Sequence, residues 1–439
     1  MPIMTMFRTA AAVALFVLSA TFAQAFTIQE VKSPGGIKAW LVSEKAIPLI
    51  AMNFSFKDGT AYDPPGKDGL STFLTGMMDE GAGDVLSKDF QQKRDALAFR
   101  LSFSAGKENF EGAFQTLSRN REESFELLRL AITAPRFDSE PLERVRQQFL
   151  LNARDKAKDP QTTAFANFMD MALPGDVYAR EDDGTEKTIA AVTADDLRAT
   201  HRRIFARDTL QVAVVGDIDA VELGPLLDKV FSGLPATSER PALKPAVVKQ
   251  GSAFKLTDRD MPQSVIVFGH EGPTRDDPDF IPAYIMSEIL GGGGFNSRLT
   301  EEIREKRGLT YGISMGLSPL DRAGLYVGFL QTKNASAGDA LKLIREVLAT
   351  MAEKGPTQAE LDEAKTFLTG SYALRFSSNG AIANQLLGLQ QQDLGIGYVN
   401  RRNSLVEAVT LDQVKAEAKR LLHPGRLIVS VVGKPQGLN

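Results

Sequence analysis

The chain has 439 residues, 43% hydrophobic and 24% charged, with a formal net charge of −4. That length predicts two or more domains of an ordinary globular protein, and the acidic balance excludes nucleic acid as the main partner, which needs a basic face. The absence of cysteine excludes disulfides, thiolate catalysis, cysteine-ligated zinc and a lipid-modified N-terminal cysteine.

Residues 1–25 carry Arg8, an apolar run from Thr9 to Phe22, and Ala23-Gln24-Ala25. This is the pattern of a cleavable signal peptide, cut after Ala25, and it predicts a periplasmic protein. The apolar run is shorter than the ~20 residues a membrane span needs, so no stable membrane insertion is expected after cleavage. Next, GLSTFLTGMM from Gly69 predicts an apolar helix, and FEGAFQTLSR from Phe110 alternates like a strand. EESFELLRLAI and PLERVRQQFLLNARDKA predict two amphipathic helices. LQVAVVGDID from Leu210 reads as a buried strand ending at a glycine turn.

After Gly233 comes GLPATSERPALKPAVVKQGS, poor in apolar residues and read as a linker. The same sequence of features then begins again. AYIMSEILGG from Ala283 is an apolar helix, and GLYVGFLQTK from Gly324 alternates. AGDALKLIREVL and QAELDEAKTFLTGSYAL are helical, and LIVSVVGKP from Leu427 closes the chain. The two VVG triplets stand 217 residues apart, Val214 to Val431. Paired features in one order point to a duplicated unit. The expected fold is α+β: two homologous tandem domains, each a mixed, largely antiparallel sheet packed with helices. The expected boundaries are 26–235, a linker over 236–252, and 253–439.

One stretch of the second half carries chemistry. GGGGFNSRLTEEIREKRGLTYG runs from Gly291 to Gly312. Asn296 or Ser297 can cap a helix whose early residues are acidic, Glu301 and Glu302. Its late residues Arg304, Lys306 and Arg307 are basic, and Gly308 is the stop. A strand follows at LTYGIS, so Arg304 and Tyr311 can meet at one corner. A guanidinium and a phenol together offer directed donors suited to a peptide carbonyl or an oxyanion. On the residues alone the plainer reading ranks first: Arg304 balances the helix dipole and Tyr311 packs in the core. Gly291, Gly292, Gly293 and Gly294 form a possible substrate loop. No Gly-Lys-Ser/Thr follows, so a P-loop is excluded. Gly312-Ile313-Ser314-Met315-Gly316 matches G-x-S-x-G, but an alternating run follows where a nucleophile elbow needs a helix.

The duplicated half, the VVG strand closing each half, and SRLTEEIREKRGLTYGI together resemble the M16 metallopeptidase family, across nearly all of the mature chain. The resemblance implies a half clamshell and a substrate-contacting pair at Arg304 and Tyr311. It also implies an inverted zinc motif, His-x-x-Glu-His, in the first half. Here the motif positions fall on Thr72, Thr75 and Gly76, none a useful ligand or base. The family's further ligand lands near Leu151, where Val145 to Ala153 holds no acidic residue. His201, His270 and His423 stand alone and are expected in exposed or capping roles.

The resemblance therefore implies a non-catalytic, substrate-binding subunit of a heterodimeric zinc-dependent peptidase. This chain binds no metal on that reading. Its partner carries the intact His-x-x-Glu-His motif and the zinc. The substrate is a peptide or unfolded polypeptide, bound in extended form against a sheet edge. The alternative is a peptidase-derived scaffold or interaction protein without proteolytic role. An enzyme acting alone ranks below both, since no nucleophile–base pair is evident.

Overall fold

β-branched and aromatic runs build two sheets in a computed structural model that describes residues 27–292 and 297–438. The expected signal peptide, its cleavage point, Gly293, Gly294 and the cap candidate Asn296 lie outside the described residues. The first half supplies β1 (Gln29–Lys32), β2 (Lys38–Ser43), β3 (Leu49–Phe56) and a two-strand hairpin, β4 (Gly81–Ala82) with β5 (Val85–Leu86). It continues with β6 (Arg100–Ala105), β7 (Phe110–Leu117) and β8 (Leu210–Gly216). The second supplies β9 (Ala253–Asp258), β10 (Gln263–Glu271), β11 (Thr310–Pro319), β12 (Gly324–Lys333) and β13 (Ile428–Gly433).

The sheet orders are β1-β2-β8-β3-β7-β6 and β11-β12-β10-β13-β9. Read from β6 and from β11, the five strands correspond one to one. In both, the VVG strand runs parallel to its outer neighbour (β8 with β2, β13 with β9) and antiparallel to the inner one. The duplication expected from the repeated segments is therefore a duplication of topology.

The register repeats too. Phe54 of β3 stands opposite Gly112 of β7, and Phe268 of β10 stands opposite Gly328 of β12. A Cβ at Gly112 would lie 2.0 Å from the Phe54 ring, and one at Gly328 would lie 2.3 Å from the Phe268 ring. Each ring lies across the bare backbone of its cross-strand glycine, which keeps a poor strand former packed. Gly112→Ala is expected to lower stability by about 1–3 kcal/mol through overpacking, read as a lower urea midpoint. An unchanged midpoint would show that the ring has other room.

Each half covers one face of its own sheet. In the first half, helices Arg121–Thr133 and Ala220–Phe231 bury Phe125, Leu128, Leu227 and Phe231 against Met52, Phe54 and Val214. In the second, Phe280–Gly291, Ala337–Lys354 and Leu411–Leu421 do the same over Ile266, Phe268 and Val431. The opposite faces are covered reciprocally. Helix Pro160–Ala172 packs Ala164 and Phe168 against Val265, Val267, Ile428 and Val432 of the second sheet. Helix Asn379–Gln391 packs Ile382, Ala383, Leu386 and Leu387 against Val42, Ala213 and Val215 of the first. The halves thus exchange helices, which explains why β8 is apolar from Val212 to Val215 and β13 is apolar apart from Ser430: each strand is buried on both faces. The stretch expected as a loose linker forms no helix or strand over residues 238–250, yet Val248 is buried in the shared core and Lys249 N–H bonds Ala172 O at 2.7 Å.

Candidate functional site

Arg304 and Tyr311 come together. Both line one open cavity of about 510 Å³, with Gly292, Thr310, Gly312, Ser314 and Gln331. Two local irregularities aim them. The segment expected as an ordinary helix is helical from Arg298, but over Thr300–Glu305 it widens to a π-turn, with Lys306 N–H bonding Glu301 O at 2.9 Å. Such one-turn widenings recur at functional sites. Ser297 Oγ accepts the Thr300 N–H at 3.4 Å, a weak form of the cap expected of it. Gly308 ends the turn with φ of 59°, its N–H bonding Arg304 O at 2.9 Å. Only glycine enters that left-handed region without cost.

The second irregularity is in β11, the edge strand. Thr310 pairs with Thr332 but Ile313 with Leu330, so Tyr311 and Gly312 together face one partner residue. Thr310 holds this bulge: its hydroxyl donates to Gln331 O (2.7 Å) or Gly312 O (2.8 Å) and accepts Gly312 N–H at 3.1 Å. Bulges re-aim side chains, and here the result is a tyrosine 89% exposed. A phenol so placed is not core packing. Arg304 is about one-third exposed, with its Nε 3.5 Å from Glu305 Oε1. The arrangement places a guanidinium and an exposed phenol on one cavity beside β11, the edge strand of its sheet.

The glycine run divides. Gly291 ends its helix with its Cα against β11, where a Cβ would lie 2.7 Å from Met315 N. Packing accounts for it, so it is not a free substrate loop. Gly292 lines the cavity. The G-x-S-x-G match lies within β11, which pairs antiparallel with β12, so Ser314 stands on no strand-to-helix elbow.

The degenerate metal positions are committed elsewhere. Thr72 Oγ1 donates to Asp182 O at 2.6 Å and Thr75 Oγ1 to Thr72 O at 2.7 Å. A Cβ on Gly76 would meet the Phe149 ring at 2.9 Å and Val145 at 3.2 Å. Phe149 packs on Phe73 with ring centroids 5.0 Å apart and the rings tilted by 34°. Leu151, expected nearest the lost ligand, is 59% exposed and points elsewhere; Val145 and Phe149 are the residues of its helix that face Gly76. This apolar set does not fit zinc. Among the described residues no group of three or more His, Cys, Asp or Glu is arranged to hold a metal ion. Combining Thr72→His, Thr75→Glu and Gly76→His is expected to yield no stoichiometric zinc and to cost about 1–3 kcal/mol in overpacking at residue 76. Equimolar metal by elemental analysis, with an unchanged melting point, would show that Phe149 swings aside.

Next to this helix lies a buried charge cluster that the sequence did not single out. Arg203 donates from Nε to Asp58 Oδ2 (3.1 Å), from Nη1 to Tyr62 O (2.6 Å) and from Nη2 to Ser71 Oγ (2.8 Å). Asp63 accepts from both the N–H and the hydroxyl of Ser71 (3.1 and 2.5 Å). Both carboxylates are fully buried. Burial pushes the Asp58 carboxyl up to about 6, with Arg203 pulling the other way, and it raises Asp63 as well.

Two of the histidines differ from expectation. His201 is stacked on Phe205 at 4.5 Å with Nε2 2.7 Å from Ile132 O, and burial pushes its imidazole down to about 4. His270 is 4% exposed, with Nδ1 2.6 Å from Glu271 O. Both are interior side chains, each with one ring nitrogen at hydrogen-bond distance from a carbonyl oxygen, while Nε2 of His270 is buried without a hydrogen-bond partner among the described residues. Alternation around each residue gave no sign of this, because neighbouring elements supply the burial.

A family model described as the peptidase M16 inactive domain matches residues 191–368. A non-peptidase homolog, YmxG of Helicobacter pylori, is 27% identical over 343 residues, 77% of this chain and 78% of that protein. An uncharacterized zinc protease of Streptomyces coelicolor is 25% identical over 417 residues, 93% and 90% of the two chains. A crystal structure of a peptidase M16 inactive domain from Pseudomonas fluorescens superposes with a TM-score of 0.87 at 28% identity, covering 93% of this chain and 98% of that one.

Proposed function

Because the chain belongs to the M16 peptidase family yet carries none of that family's metal ligands, we propose that it is the non-catalytic, substrate-binding subunit of a heterodimeric zinc-dependent peptidase. The partner is an M16 chain with an intact His-x-x-Glu-His motif and its own zinc. The substrate is a peptide or unfolded segment, bound in extended form along the outer edge of β11. The pattern of residues 1–25 supports a periplasmic address.

The observation that carries this reading is the exposed Arg304/Tyr311 pair on its bulge and π-turn. A guanidinium N–H and a phenol O–H facing one cavity can both donate to a single carbonyl oxygen. They bind it more tightly as it gains negative charge. A scaffold has no chemical need for an 89%-exposed tyrosine set on a bulge beside an arginine.

The test is an assay of an unstructured fluorogenic peptide with this chain alone, with the zinc-bearing partner alone, and with the two mixed. Turnover confined to the mixture supports the shared site. A mixture no faster than the partner alone would leave the scaffold reading.

A further inference from the structure

A second cavity, of about 500 Å³, adjoins the first and shares Gly292 and Ser314 with it. Its wall contains two buried groups with unmet needs. Arg402 is 5% exposed, and its guanidinium lies 4.6 Å over the Tyr372 ring. Only Nη1 is hydrogen-bonded among the described residues, to Leu368 O (2.6 Å) and Asn403 Oδ1 (3.0 Å). No carboxylate among the described residues pairs with it. Tyr372 is 7% exposed, and its hydroxyl has no hydrogen-bond partner among the described residues. Arg375 brings a second cation 6.0 Å from the same ring.

A buried guanidinium without a counter-ion and a buried phenol without an acceptor are both costly. One ligand relieves both: an oxygen acceptor bearing negative charge. The remaining wall suits the stem of such a group, since Tyr284, Phe280 and Tyr398 line it. Among the described residues Glu288 is the only acid lining the cavity, and burial pushes its carboxyl up towards the neutral form. The cavity follows β11 from Ser314 to Leu317. An extended chain advances ~3.3 Å per residue, so a peptide held at Tyr311 reaches this cavity about three to six residues further on.

We propose that this cavity is a carboxylate-binding subsite for the substrate peptide. It takes an acidic side chain, or a peptide C terminus, about three to six residues from the position held at Tyr311. The proposal rests on the chain being a peptide-binding subunit. Its test needs only the mature chain, by fluorescence anisotropy. The probes are a labelled, end-blocked unstructured peptide with one Glu, its Gln counterpart, and a peptide without acids but with a free C terminus.

The Glu peptide, the free-acid peptide or both are expected to bind about tenfold or more tightly than the blocked Gln peptide. The arm that binds identifies the source of the carboxylate. Tyr372→Phe is expected to lose about tenfold of that preference with an unchanged melting point, because it removes only an unpaired hydroxyl. Arg375→Gln is expected to weaken the same peptides and spare the Gln one. Equal binding of all three peptides would overturn the subsite, as would a Tyr372→Phe chain with the preference intact. If the preference holds on the isolated chain but adding the partner gives no turnover, the subsite stands and the peptidase-subunit reading falls. If the mixture cuts peptides without acidic preference, the subsite alone falls.

Discussion

On the proposed shared-site reading, a mixture of the Arg304→Ala chain with a zinc-bearing M16 chain is expected to cut an unstructured peptide about 10²–10³-fold more slowly than the mixture with the native chain, the cost of losing an oxyanion donor. Tyr311→Phe removes one hydroxyl and keeps the ring, and the same range is expected of it. Neither substitution is expected to disturb the fold. Tyr311 is 89% exposed, and the Arg304–Glu305 contact is a surface ion pair of the kind worth little. The melting point therefore separates loss of chemistry from loss of structure. The split between kcat and KM carries further information. A donor that grips the oxyanion more than the ground-state carbonyl lowers kcat, whereas one that merely holds substrate raises KM. If both variants support native turnover, the pair has no part in the reaction, and a peptidase-derived scaffold becomes the reading to pursue.

Much of this was legible in the residues, for a physical reason. A strand buried on both faces reads as a near-continuous apolar run instead of alternating, so LQVAVV and LIVSVV announce themselves and their spacing reveals the duplication. The missing ligands at Thr72, Thr75 and Gly76 were equally plain, since neither a hydroxyl nor a hydrogen atom replaces an imidazole. What filled the gap was not. Spacing pointed to Leu151, whereas the helix turns Val145 and Phe149 towards Gly76. The helix exchange was hidden as well. Phe168 and Leu386 mark apolar faces, but nothing in an apolar face says which sheet it covers. The π-turn at Thr300–Glu305 and the bulge at Tyr311 were beyond reach too, because each changes one hydrogen bond without changing the periodicity that sequence reasoning depends on.

Arg203→Ala is expected to destabilise the chain by about 3–5 kcal/mol above pH ~7, the cost of leaving buried charge uncompensated. The arginine is the cation between two fully buried carboxylates, Asp58 and Asp63. It also anchors the turn at Tyr62 and the first turn of the Leu70–Thr75 helix through Ser71. The pH dependence follows from the direction of the shifts. Asp58 titrates near 6 when folded and near 3.8 when unfolded, so the folded state holds the extra proton between these values. Its contribution to stability is present below the unfolded value and is lost as pH rises through about 6. Removing Arg203 takes away the main charge holding both carboxyls down, so both rise further. The deficit of the variant should then be largest at neutral pH and shrink as pH falls towards ~5, where protonation removes the stranded charge. Urea denaturation of the native and Arg203→Ala chains at both pH values tests this. A deficit that is constant with pH would mean that Arg203 acts through packing and its bond to Tyr62 O, not as the counter-ion of the two aspartates.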